Sequence, residues 1–65
     1  MLRLRQERLQ KGLSQTDVSI KTGIAQSAIS ALERGLVHPY PGWKSKLSKL
    51  FRIPGDELFR EVVDD

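Results

Sequence analysis

The sequence predicts an all-α fold of five helices and no strands, in a single domain that covers residues 1–65. Residues 12–35 read GLSQTDVSIKTGIAQSAISALERG, in which a glycine turn separates two short helical segments. Farther along, four apolar residues recur at the i, i+4, i+7, i+8 spacing of one buried helical stripe: Trp43, Leu47, Leu50 and Phe51. These two patterns indicate helices packed on one another.

Helix 1 is predicted over about residues 2–10. Leu4 and Leu9 are expected to be its inward anchors, because its other positions are dominated by Arg, Gln and Glu. Lys11 and Gly12 are expected to end it.

Helix 2 is predicted to begin at Gln15. Ser14 is a favourable N-cap, and Asp17, three residues later, completes a pair that resembles a capping box. Gly23 is expected to end the helix, because the residue past a helix end often needs a positive φ that glycine adopts without strain. Val18 is the expected core residue of this helix.

Helix 3 is predicted over about residues 26–34 and is ended by Gly35. At about 100° per residue, four apolar residues gather on its inward face: Ala25, Ala28, Ile29 and Leu32. The outward face is small and polar and carries no acid: Gln26, Ser27, Ser30, Ala31 and Arg34. Gln can pair with the edge of adenine, and small neighbours let a helix enter a major groove. The face is typical of a nucleic-acid-reading unit, although a surface helix rich in Ser and Ala has the same pattern.

Helix 4 is predicted to open at Pro41, where the missing N–H is not needed, and to run to about Phe51. Trp43 is interpreted as a core residue rather than a base-stacking one. Lys46 and Lys49 fall outside the apolar stripe and are interpreted as a solvated face.

Helix 5 is predicted to begin at Pro54. Its apolar side is expected to hold Leu58, Phe59, Val62 and Val63. Residues 64–65 are expected to fray.

Composition narrows the possible functions. The chain has no cysteine and one histidine, so we expect no disulfide, no metal cluster and no cysteine nucleophile. A chain of 65 residues has no room for a large catalytic cleft, and we expect neither enzymatic activity nor a cofactor. No apolar run approaches the ~18 residues of a membrane span, and Met1 leads into LRLRQERLQ rather than a signal sequence. These features predict a cytoplasmic protein.

Charge is segregated along the chain, whose formal net charge is +3. Residues 36–53 hold four basic and no acidic residues, whereas residues 54–65 hold one basic and five acidic residues. A basic body attracts polyanions, and neutralisation of phosphates is the main sequence-independent contribution to DNA affinity. The acidic end is expected to point away from such a partner.

The run from Leu4 to Phe59 resembles the helix-turn-helix domains of lambda-type repressors and Cro, called the xenobiotic response element family. The segments that fall in family register are GLSQ at 12–15, Gly23, Ile29, Leu32, Glu33, Arg34, Gly35, Pro39 and IPGDELF at 53–59. The resemblance implies a lambda repressor-like domain with its motif at about residues 14–34, from a bacterial or phage-encoded protein associated with the nucleoid.

The resemblance also implies the residues that contact DNA. Base contacts are expected from Gln15, Gln26, Ser27, Ser30 and Ala31. Phosphate contacts are expected from Ser14, Gln15, Arg34, His38 and Lys44, and from the exposed N–H groups that begin helices 2 and 4. In such proteins Arg8 and Glu33 form a structural pair.

Some positions depart from the family pattern. Ala25 and Ala31 stand where the family usually has a capping Ser or Thr and a base-reading Arg or Gln. Leu36 and Val37 replace the usual polar residues, and they form either a partner surface or loop packing.

We therefore predict a sequence-specific transcriptional regulator of double-stranded DNA, a repressor that binds an inverted repeat as a homodimer. Apolar residues near the C-terminus, Phe59, Val62 and Val63, suggest the pairing surface. The alternative is a protein-interaction module of the same fold, such as an antitoxin or anti-repressor, which holds a protein partner through helix 3 or through Leu36 and Val37.

Overall fold

The computed structural model describes residues 1–63, so the fraying expected at residues 64–65 lies outside the described residues. Within residues 1–63 the chain forms five α-helices and no strand: α1 (Arg3–Gln10), α2 (Gln15–Thr22), α3 (Gln26–Glu33), α4 (Pro41–Phe51) and α5 (Gly55–Leu58). This arrangement confirms the all-α, five-helix prediction. Helix α2 packs against α3 and α4, and α5 packs against α1 and α4.

Helix α1 buries Leu4 and Arg8, and the expectation that Leu9 faces inward is wrong. Leu9 is 50% exposed. Arg8 lies one turn after Leu4 on the same side of the helix, whereas Leu9 lies about 140° around it. The inward position of the second turn is therefore occupied by a charged side chain.

The start of α2 has the predicted capping box. Ser14 Oγ accepts a hydrogen bond of 2.9 Å from the backbone N–H of Asp17, and the Asp17 carboxylate accepts one of 2.8 Å from the backbone N–H of Ser14. The hydrogen bond from this backbone N–H is the main reason that the pKa of Asp17 lies below its ordinary value. Val18 is fully buried, and Gly23 ends the helix with a φ of 75°. These predictions are confirmed.

Helix α3 turns Ile29 and Leu32 into the core, as predicted, and Ala28 is half-buried. Ala25, expected on the same inward face, is exposed instead. Ala25 is the N-cap and has φ −56° and ψ 143°, so its side chain does not follow the helical rotation of 100° per residue.

Helix α4 presents the predicted apolar stripe to the core. Leu47 and Phe51 are buried, and Trp43 and Leu50 pack against the core while half-buried. The Trp43 ring contacts the Tyr40 ring edge-on at a centroid distance of 4.7 Å, in accord with a packing role.

Helix α5 is shorter than expected, and the placement of Val62 and Val63 on its apolar side is wrong. The helix ends at Leu58, and Leu2 pairs with Glu61 in an isolated antiparallel bridge. The N–H of Val62 donates to the carbonyl of Met1 at 2.8 Å. Because the first residues of the chain satisfy this backbone, the segment is extended, and Val63 is 81% exposed.

The core draws side chains from every helix and from the turn before α3. Its buried members are Leu4, Val18, Ile24, Ile29, Leu32, Leu47, Phe51 and Leu58. Helix α1 supplies only Leu4 to this cluster, so its attachment depends on a second buried contact.

That contact is an ion pair between Arg8 and Glu33. Arg8 Nε donates to Glu33 Oε2 at 2.6 Å, and Arg8 Nη2 donates to Glu33 Oε1 at 3.0 Å. Arg8 Nη1 also donates to the carbonyl of Leu13 at 2.9 Å. Every buried side-chain nitrogen and oxygen of the described residues has a hydrogen-bond partner. The pair thus joins α1 to α3 without stranding a polar group.

Substitution of Arg8 by Ala is expected to lower the free energy of unfolding by about 3–5 kcal/mol, because the Glu33 carboxylate stays buried without its partner. Urea unfolding followed by circular dichroism measures the change. The matched control is Arg5→Ala on the same helix, where the side chain is exposed. Equal midpoints for Arg8→Ala and the parent chain would contradict the prediction.

Substitution of Asp17 by Asn is expected to alter the pH dependence of stability. The pKa of Asp17 is lowered in the folded chain, so its carboxylate stabilises the fold above the ordinary value of 3.8, and this contribution is lost as pH falls through the lowered pKa. The variant should be less stable than the parent at neutral pH, and its stability should fall less on acidification. Parallel profiles of unfolding midpoint against pH would disprove it.

Candidate nucleic-acid interface

Helix α3 carries its single acidic residue on its buried side. Glu33 is 7% exposed, whereas Gln26 and Ser27 are exposed at the opposite end of the helix. Ser30 and Ala31 are half-buried and continue this face. The exposed surface of α3 is therefore uncharged and made of short side chains, with the Gln26 amide as its longest hydrogen-bonding group.

A surface cleft at the C-terminal end of α3 brings three helices together. Its lining comes from α1, from the start of α2, from the end of α3 and from the first residue of the chain: Met1, Arg5, Arg8, Gln15, Glu33 and Arg34. The structure thus gathers four of the residues singled out in the sequence, Arg8, Gln15, Glu33 and Arg34, around one depression.

The Gln15 side chain is partly occupied by a hydrogen bond within the protein. Its Nε2 donates to Glu33 Oε1 at 3.2 Å, on the same oxygen that accepts from Arg8. The Gln15 side chain is half-buried. One amide hydrogen and the carbonyl oxygen remain available, and these are the two groups that a bidentate contact with adenine uses.

Basic side chains divide into two groups. Within residues 1–63, ion pairs with acidic side chains involve Arg3, Arg8, Lys11, Lys44 and Arg60. The described acidic side chains make no ion pair with Arg5, Lys21, Arg34, Lys46, Lys49 or Arg52. Arg5 and Arg34 border the cleft at the C-terminal end of α3, so positive charge not balanced by a described carboxylate lies there.

The helix N-termini differ in whether a side chain already occupies the backbone N–H groups that could bind an anion. The start of α2 is occupied by the reciprocal bonds of Ser14 and Asp17, whereas no side chain caps α3 at Ala25 or α4 at Tyr40. Backbone N–H groups at the starts of α3 and α4 are therefore free of side-chain acceptors. This favours α4 over α2 among the two helix starts expected to contact phosphate.

The remaining predicted contact residues lie in varied surroundings. Lys44 Nζ donates to Asp56 Oδ1 at 2.8 Å, and this hydrogen bond is the main reason that the pKa of Asp56 is lowered. His38 is exposed in the loop before α4. Lys44 thus has a competing carboxylate partner, while Ser14 uses its hydroxyl oxygen in the cap.

Arg5 was missed by the sequence analysis. It lies three residues before Arg8, and residues with that spacing are neighbours on a helix surface. This spacing places Arg5 beside the Arg8–Glu33 pair that the family resemblance implies.

A family model described as helix-turn-helix matches residues 4–58. No curated protein and no solved structure matches the chain. Within residues 1–63, no group of three or more His, Cys, Asp and Glu residues could hold a metal ion, and no helix is long and apolar enough to cross a membrane.

Proposed function

The chain belongs to the helix-turn-helix family of the lambda-repressor and Cro type, and from this premise we propose a transcriptional repressor that reads a specific sequence through α3. The family binds double-stranded DNA, regulates transcription and is not an enzyme family. In such motifs the second helix enters the major groove by its N-terminal end. Here that end presents Gln26 and Ser27.

The observation that carries the proposal is the absence of negative charge on the exposed face of α3. A carboxylate there would repel phosphates on both sides of the groove, and Glu33 avoids this by pointing inward to Arg8. Short side chains let the helix backbone approach the base edges. We assign base contacts to Gln26, Ser27, Ser30 and Ala31, with Gln15 at the outer edge.

Phosphate contacts supply most of the affinity in this proposal. Arg34 has no described acidic partner and borders the cleft, so it is the strongest candidate. Lys44, His38 and the uncapped start of α4 would contact a second stretch of backbone, with Ser14 and Gln15 at the start of α2.

A homodimer on an inverted repeat completes the proposal. Eight residues of α3 reach only a few base pairs, so one copy provides limited specificity. Two copies related by a twofold axis would read half-sites about one helical turn apart. Repression is supported by the resemblance to lambda-type repressors, in which a bound dimer controls access to DNA.

A protein-interaction module is the second candidate function. It is favoured by Leu36 and Val37, which are 63% and 46% exposed on the loop after α3. Salt separates the two functions, because DNA binding weakens steeply as salt increases and an apolar protein interface does not.

Selection of bound sequences from a random pool of double-stranded DNA tests the proposal. Recovery of a common motif with twofold symmetry, bound in a strongly salt-dependent way, would support it. Binding that is equal for all sequences, or absent at low salt, would overturn it.

Substitution of Gln26 by Ala is expected to reduce the free energy of binding to the selected DNA sequence by about 1–3 kcal/mol and to relax selectivity at one base pair. Gln26 is the longest hydrogen-bonding side chain on the exposed face of α3, so its loss removes base reading and leaves phosphate contacts unchanged. Titrations on the selected site and on its single-base variants measure the change. Gln10→Ala, an exposed Gln at the end of α1, is the control. An equal loss of affinity for every DNA sequence would refute base reading by Gln26.

Paired substitutions at Lys44 and Asp56 test phosphate contact at α4. Lys44→Ala should weaken binding to all DNA sequences alike and reduce the slope of log affinity against log salt concentration by about one. Asp56→Asn should strengthen binding by up to about fivefold, because the exposed Asp56 carboxylate no longer competes with phosphate for Lys44. Lys49→Ala removes the same charge elsewhere on α4 and is the control. Equal effects of Lys44→Ala and Lys49→Ala would contradict the assignment.

A further inference from the structure

The Glu33 carboxylate accepts hydrogen bonds from two other helices. Arg8 of α1 donates to both of its oxygens, at 2.6 Å and 3.0 Å, and Gln15 Nε2 at the start of α2 donates to Oε1 at 3.2 Å. The Arg8 and Glu33 side chains are only 9% and 2% exposed. The Gln15 amide is therefore bonded to a carboxylate that is buried and held in place by Arg8.

This carboxylate determines which end of the Gln15 amide faces it. The oxygen and nitrogen ends of a Gln amide have nearly the same shape, so rotation by half a turn exchanges them at little steric cost. The ionised carboxylate of Glu33 only accepts hydrogen bonds, and an amide oxygen turned toward it would place two acceptors in contact with no hydrogen between them. The amide nitrogen must therefore face Glu33.

The backbone around Gln15 is held as well. Gln15 is the first residue of α2, and the reciprocal hydrogen bonds of Ser14 and Asp17 fix the start of that helix. Arg8 Nη1 donates to the carbonyl of Leu13 at 2.9 Å, two residues before Gln15. The side chain is thus fixed at its backbone and at its far end, so it loses little conformational freedom when it binds a ligand.

The hydrogen bond to Glu33 changes which base matches Gln15. A free Gln amide offers two N–H donors and one carbonyl acceptor. In the major groove adenine presents one acceptor and one donor, whereas guanine presents two acceptors. With one N–H held by Glu33, Gln15 retains one donor and one acceptor, which is the complement of adenine. Against guanine, its carbonyl oxygen would meet a second acceptor.

We infer that Glu33 is a positioning residue for base reading, which makes Gln15 select adenine over guanine by holding one of its amide N–H groups. This inference rests on the proposed function, in which Gln15 contacts DNA at the outer edge of the site. It deepens that function by naming the base that Gln15 reads and the residue that sets the choice. Arg8 acts one step further back, because its two hydrogen bonds orient the Glu33 carboxylate.

Replacement of both members of the buried pair tests the inference. Arg8→Met with Glu33→Met removes both charges and fills similar space, a kind of exchange that is often neutral for stability. The ratio of affinities for DNA with adenine and with guanine at the outermost base of the site should fall about fivefold, because both N–H groups of Gln15 become available. Arg3→Met with Glu57→Met, which removes an ion pair of 3.0 Å between α1 and α5, is the control and should leave the ratio unchanged.

A double-mutant cycle shows whether the effect passes through Gln15. In a chain that carries Gln15→Met, replacement of the Arg8–Glu33 pair should change the ratio no further, because the amide is already absent. An unchanged ratio when the pair is replaced beside an intact Gln15, or the same change with and without Gln15, would overturn the inference. So would a uniform loss of affinity for all DNA sequences in Gln15→Met, which indicates phosphate contact alone.

Nuclear magnetic resonance of the ¹⁵N-labelled parent chain tests the amide contact without any substitution and without DNA. One side-chain N–H of Gln15 should exchange with solvent more slowly than the side-chain N–H groups of Gln10, which is exposed at the end of α1. Equal exchange for the two residues would overturn positioning by Glu33. Specific binding with an unchanged ratio in the pair variant is a failure of this inference alone, whereas absence of sequence-specific binding by the parent chain is a failure of the proposed function.

Discussion

Arg8 and Glu33 join α1 to α3 through two hydrogen bonds of 2.6 and 3.0 Å, and this buried pair affects both the stability and the surface of the domain. Leu4 and Arg8 are the two buried residues of α1, so its buried contacts are one leucine and one ion pair. Replacing both partners by apolar groups could preserve stability, but removing one leaves a buried charge. The pair also fixes the orientation of Glu33, which keeps the exposed face of α3 free of acid and gives Gln15 an acceptor. One interaction therefore connects core packing to the surface proposed to bind DNA.

Charge is distributed in a way that suits this arrangement. Glu57 pairs with Arg3 of α1 and so joins the end of the described chain to its beginning. Arg5 and Arg34, which border the cleft at the C-terminal end of α3, have no such partner among residues 1–63. Because exposed ion pairs contribute little stability, basic residues left unpaired cost the fold little and remain available to phosphate. The loop after α3 differs from these regions, because residues 35–43 contain no Asp, Glu, Lys or Arg.

Errors in the sequence analysis share a physical cause. Hydrophobicity alone predicts Leu9 on the inward side of α1, yet Arg8 occupies that side because a buried partner on α3 compensates its charge. Val62 and Val63 were assigned to α5 because their apolar character continues that of Leu58. The backbone of this segment instead bonds to residues at the start of the chain, which a local pattern does not reveal. Ala25 was placed by helical rotation although it precedes the helix. In each case a contact between distant residues, or a change of backbone conformation, overrode the local periodicity.

By itself the sequence determined the five helices, their capping at Ser14 and Gly23, the apolar stripe of α4 and the small polar face of α3. These features depend on local backbone preferences and on a helical period that residues near in sequence define. The resemblance to a family suggested the partner of Arg8. Only the tertiary structure decided that Gln15 shares its amide with Glu33, that Lys44 is held by Asp56, and that Arg5 joins Arg34 at one cleft. Those relations join side chains from different helices, and their distances are set by how the helices pack rather than by any segment alone.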